Sequence, residues 1–105
     1  MKGRGLVRVR GQENHDKLVS AVIKFLIKKC NASPLEICTE VPFYVGKAAK
    51  TYIDIVYKDS LFECETSKNC ISGRKMNDLQ ELNKFFILVI PDKAKMHLNQ
   101  RLSLF

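Results

Sequence analysis

No Cys-x-x-Cys pair occurs in this chain, and histidines number only two. The four cysteines, Cys30, Cys38, Cys64 and Cys70, are separated by seven, twenty-five and five residues, so they do not read as a zinc site, which wants closely spaced thiolates or imidazoles. In a reducing cytosol they would be buried or idle thiols; in a hyperthermophile they could pair, and the sequence leaves both open. No apolar run exceeds Phe85 to Ile90, far short of the ~20 residues that cross a bilayer. No secretory leader is visible either, because Met1 to Gly11 is basic throughout instead of passing into an apolar middle. These absences lead to the expectation of a soluble cytoplasmic protein with no membrane partner, in which Asn31-Ala32-Ser33 is not a glycosylation site. Internal repeats are absent too, and so are low-complexity segments apart from the basic arm.

What is present suits a single domain over residues 1–105, with residues 1–11 as a basic N-terminal arm. An apolar fraction of 46%, with six Phe and three Tyr, argues against disorder, and a core of that size needs no organic cofactor to fold. Lys and Arg number 18 against 11 acids, a net charge of +7, which points to a polyanionic partner. The bases recur in the arm (Lys2, Arg4, Arg8, Arg10), before the central acids (Lys47, Lys50) and after them (Lys68, Arg74, Lys75). The plainer reading is that such lysines and arginines only keep the surface solvated.

Helical spacing of Leu18, Ala21, Val22, Phe25 and Leu26 predicts a first helix from His15 to Cys30, with Asn14 as its cap and Lys28-Lys29 near its end. His15 projects onto the apolar stripe if the helix already includes it, and Glu13 projects away; either could lean over the end of the sheet toward the acids, although a lone histidine there is more often a satisfied buried group than a ligand. Leu35 to Phe43 alternates weakly and reads as a strand, and Tyr44 to Lys50 reads as a loop. Met76 to Lys84 is expected to be a second helix after a polar connection over Ser67 to Lys75. Phe85 to Ile90 does not alternate, which predicts a strand covered on both faces and ended by Pro91. A last helix from Asp92 to Leu102 would bury Ala94 and Leu98.

Between these lies the segment that carries chemistry. Tyr52 to Tyr57 and Leu61 to Thr66 alternate as strands joined by the short polar link Lys58-Asp59-Ser60. A two-residue turn over Lys58-Asp59 sets Asp54 opposite Glu63; a turn over Asp59-Ser60 sets it opposite Glu65. Either way Asp54, Glu63 and Glu65 share one face, while Ile53, Ile55, Tyr57, Phe62 and Cys64 share the other. Facing carboxylates repel, so the cluster calls for a proton, a cation or open solvent. Mg²⁺ or Mn²⁺ is the cation that such hard oxygen donors select. Cys64, on the apolar face, is expected to serve the core.

The element order is helix, three strands, helix, strand, helix: an α/β fold with a mixed four-stranded sheet and helices on both faces. With Asp54 on one strand and Glu63 on the next, the chain resembles the restriction-endonuclease-like PD-(D/E)XK nuclease superfamily, with its αβββαβ core, and within it the small archaeal or viral Holliday-junction-resolvase-like proteins. The resemblance implies a metal-dependent DNA endonuclease acting as a homodimer on branched DNA. Its metal would be held by Asp54, Glu63 and the main-chain carbonyl of Cys64, with Glu13 or His15, or Asp16, completing the shell from the first helix. Glu65 occupies the motif's lysine position, so Lys68 becomes the candidate to steady the phosphate, and Glu65 would act as a third ligand or position the water. The departure leaves open a second expectation, a catalytically inactive nucleic-acid-binding module of the same fold. In both, Arg4, Arg8, Arg10, Lys47, Lys50, Arg74 and Lys75 would track the DNA backbone.

Overall fold

In a computed structural model of the chain, the described residues are 3–10, 14–45, 49–66 and 84–91. They form an α/β fold with a mixed five-stranded sheet and one α-helix. Strand β1 (Gly3–Val9) leads into helix α1 (His15–Lys29), a 3-10 turn (Pro34–Glu36), then strands β2 (Ile37–Val45), β3 (Ala49–Tyr57), β4 (Ser60–Cys64) and β5 (Phe85–Pro91). The sheet order is β1-β5-β4-β3-β2. β5 lies between β1 and β4 and is parallel to both, whereas β2, β3 and β4 form an antiparallel meander.

Two expectations need correcting. The sheet has five strands, not four, because residues 3–9 of the supposed basic arm are a strand parallel to β5, in register from Gly3 with Phe85 to Val9 with Pro91. The signal was the alternation Val7-Arg8-Val9-Arg10, whose backbone a parallel neighbour satisfies while Arg8 and Arg10 stay exposed. The other correction concerns β2 and the loop after it. Leu35 is exposed in the 3-10 turn, where Ser33 and Glu36 form a capping box, and the strand runs on through Tyr44 and Val45. The expected helices at Met76–Lys84 and Asp92–Leu102 lie outside the described residues, apart from Lys84.

α1 forms where the spacing places it. The Asn14 side chain accepts the Asp16 N–H at 2.8 Å, and Lys28 and Lys29 meet the negative end of the helix dipole. Asn31, at φ 56, then reverses the chain so that the Ala32 N–H reaches the Leu26 carbonyl at 2.9 Å. Leu18, Val22 and Leu26 pack on Ile55, Tyr57, Phe62, Cys64 and Val89. Burying side chains of this kind stabilises by about 1.5–3 kcal/mol apiece. On the other face of the sheet Leu61, Phe86, Leu88 and Ile90 are also closed to solvent, so β5 is covered on both sides as its unbroken apolar run requires.

The hairpin turn is the Lys58-Asp59 one. Tyr57 pairs with Ser60, Val56 with Leu61 and Ile55 with Phe62, and Lys58 takes φ 53, the positive value that tight hairpin turns need at their first central residue. The turn is tied to the next strand by the Phe85 N–H to the Asp59 carbonyl at 2.8 Å and by Lys84 Nζ to Asp59 Oδ1 at 3.4 Å.

Candidate functional site

The β3–β4 ladder stops one step short of the acids. Beyond Ile55–Phe62 the strands no longer pair, while β4 continues against β5 as far as Cys64 with Val89, and the Glu65 N–H still reaches the Val89 carbonyl at 2.9 Å. Where β3 leaves β4, carboxylates replace carbonyls as acceptors. The Asp54 N–H donates to Glu63 Oε1 at 3.0 Å, and the Cys64 N–H donates to Asp54 Oδ2 at 2.8 Å. The pair therefore crosses over, each acid serving the opposite strand. Glu63 is 2% exposed and the Asp54 side chain 19%.

A third group arrives from the helix. Capping by Asn14 makes His15 the first residue of α1, and its Nε2 lies 3.2 Å from Asp54 Oδ1, with Nδ1 3.6 Å from Asp16 Oδ1. Its side chain is 47% exposed, so of the two placements that helical spacing allows, His15 takes the one that leans toward the acids and not the buried one. Partial burial alone would lower the imidazole pKa, but the hydrogen bond and charge of Asp54, with a smaller share from Asp16, raise it above its ordinary 6.5. Cys64 is pushed up to about 12, first by burial and then by the charges of Asp54, Glu63 and Glu65. It is a fully enclosed core thiol, as expected from its face, whereas Cys30 and Cys38 are free and exposed.

The structure thus brings together Asp54, Glu63 and His15. Glu65 is half-buried one alternation further on. Among the described residues no group of three or more His, Cys, Asp and Glu is arranged to hold a metal ion. Glu13, Lys47, Lys68, Cys70, Arg74 and Lys75 lie outside the described residues, as do the side chains of Arg4 and Lys50. Arg8 and Arg10 are exposed at the β1 edge of the sheet, beside an apolar cavity of about 390 Å³ that Val7, Val9, Ala21, Phe25 and Ile87 also line.

Two features escape the sequence reading. Glu40 sits between Thr39 and Val41, which pair with Ile55 and Ile53, and so stands beside Asp54; its φ of 50 is a left-handed kink inside a strand. Such a conformation costs a non-glycine residue about 1–3 kcal/mol, and no residue type announces it. Tyr44 and Tyr52 share the Asp54 face of the β2–β3 hairpin and are 70% and 52% exposed. Period-two alternation from Asp54 already placed Tyr52 there; Tyr44 was hidden in a segment that reads as loop.

Fold and site together define an α/β domain with a crossed acid pair where its central hairpin opens. No protein-family model, no curated protein and no solved structure matches the chain. Among the described residues no helix is long and apolar enough to cross a membrane.

Proposed function

We propose that the chain is a metal-dependent DNA endonuclease of the restriction-endonuclease-like type, acting on phosphodiesters at Asp54 and Glu63. The observation that carries this reading is the opening of the β3–β4 ladder at the two acids, with His15 closing on Asp54 from the helix. Two carboxylates and a main-chain carbonyl are the hard oxygen donors that a divalent cation such as Mg²⁺ selects. Asp54, Glu63 and the Cys64 carbonyl would hold Mg²⁺ or Mn²⁺, which supplies a water of lowered pKa and charge to offset the scissile phosphate. His15 orients the Asp54 carboxylate through Oδ1. Glu65 would position the water, and Lys68 would steady the phosphate. The net charge of +7, including Arg8 and Arg10, supplies backbone affinity that falls with salt. A homodimer, with one site per strand, would cut both strands of branched DNA.

One observation favours a second reading, a binding module without chemistry. Glu63 is almost wholly enclosed, and both acids already serve backbone donors as structural clips. Asp54→Asn separates the two, because an amide oxygen still accepts the Cys64 N–H but is a poor ligand for Mg²⁺. On a panel of branched and linear DNAs with Mg²⁺ or Mn²⁺, wild type should cleave and Asp54→Asn should bind without cleaving. Undiminished cleavage by the variant refutes the site, and wild type that binds but never cleaves establishes the module.

A further inference from the structure

The register of the β2–β3 hairpin puts two exposed aromatic rings on the face that carries Asp54. Pro42 pairs with Tyr52 and the next same-face position, Tyr44, pairs with Lys50, so Tyr44 and Tyr52 are diagonal neighbours. Such positions lie ~7–8 Å apart, close enough for the two rings to act together. Tyr52 precedes Asp54 by two residues, ~7 Å along the strand, about two stacked base steps of ~3.4 Å. The third tyrosine, Tyr57, is buried on the opposite, helix-packed face.

We infer that Tyr44 and Tyr52 form a stacking platform for unpaired bases of a DNA strand whose backbone reaches Asp54, so that the substrate carries single-stranded DNA. Exposed rings give up water-facing apolar surface when a base covers them, and every base offers a π-face. In continuous duplex those faces are already covered by neighbouring pairs, so only looped, displaced or terminal bases can use the platform. The net charge of +7 belongs to the chain as a whole and favours a polyanion; on this face, where Glu40 and Asp54 stand, the rings take bases and not phosphates. The inference rests on DNA as the partner, and it does not depend on cleavage.

The test is binding in EDTA, where no cleavage occurs. A short labelled oligothymidine and a blunt duplex are titrated by fluorescence anisotropy against wild type, Tyr44→Leu/Tyr52→Leu and Tyr44→Phe/Tyr52→Phe. Stacking is worth roughly tenfold in affinity per base, so the leucine variant should bind the single strand at least about tenfold more weakly and the duplex nearly as wild type does. The phenylalanine variant, which keeps both π-faces, should match wild type. The chain has no tryptophan, so its ultraviolet emission comes from tyrosine and should be quenched by saturating oligothymidine in wild type. Absence of that quenching overturns the inference without any variant. So does equal loss on duplex and single strand, loss in the phenylalanine variant, or a dimer that becomes monomeric when the rings are removed, which would make this face a self-interface. Tyrosine quenching in a wild type that never cleaves fails the nuclease reading alone, and cleavage by wild type without that quenching fails the platform alone.

Discussion

Replacing Asp54 by alanine should destabilise the fold even if the protein never meets a metal. The Cys64 N–H is held by Asp54 Oδ2 at 2.8 Å, next to a side chain that is fully enclosed. Hydrogen bonds to charged acceptors contribute about 1.5–3 kcal/mol, and an orphaned buried N–H costs about as much as the bond it lost. Relief of repulsion with Glu63 works in the opposite direction, which places the net loss for Asp54→Ala near 2 kcal/mol. For a domain of this size 1 kcal/mol corresponds to about 4–8 °C, so the melting temperature should fall by roughly 10–15 °C. Asp54→Asn keeps the acceptor and loses only the charge, and should fall by about 5 °C or less. Calorimetry in metal-free buffer reads both. Alanine and asparagine variants that melt together, or an alanine variant that melts like wild type, would show that the crossed bonds do not hold the hairpin.

Two further outcomes follow from the same site. The His15 pKa is raised, so the stability it draws from Asp54 is complete below about pH 6.5 and is lost as pH rises through the higher folded value; the melting difference between wild type and His15→Gln should shrink between about pH 6 and pH 8, and a constant difference would contradict the pairing. Iodoacetamide followed by mass spectrometry should mark Cys30 and Cys38 in the native protein and Cys64 only after unfolding, since its thiol is enclosed and held protonated with a pKa of about 12; native labelling of Cys64 would mean that the core under α1 opens.

Patterns that depend on one element were legible in the sequence. Helical spacing set the span of α1 to within a residue, and alternation plus a short polar link narrowed the hairpin to two registers, of which the structure has the one with its turn at Lys58-Asp59. Phe85 to Ile90 read correctly as a doubly covered strand because nothing in it is polar. What failed depends on distant partners. β1 was obscured by its arginines, since its strand character comes from β5, more than seventy residues away in the chain. His15 was left between the core and the acids by its helical phase, and Asp54, on another element, decides its position and its charge. The kink at Glu40 lies in β2 opposite Asp54, and no residue type encodes it.

Because β5 is inserted between β1 and β4, this sheet cannot close in the order in which a ribosome delivers it. The first strand leaves the exit tunnel with its future neighbour unmade, and the meander β2-β3-β4 emerges with its own inner edge bare, until the segment ending at Pro91 arrives to bridge them. Assembly is therefore a late, concerted event of high contact order, slower than local hairpin formation. During translation both bare edges are open to pairing with other nascent chains, and the arginines on the first strand repel such mispairing.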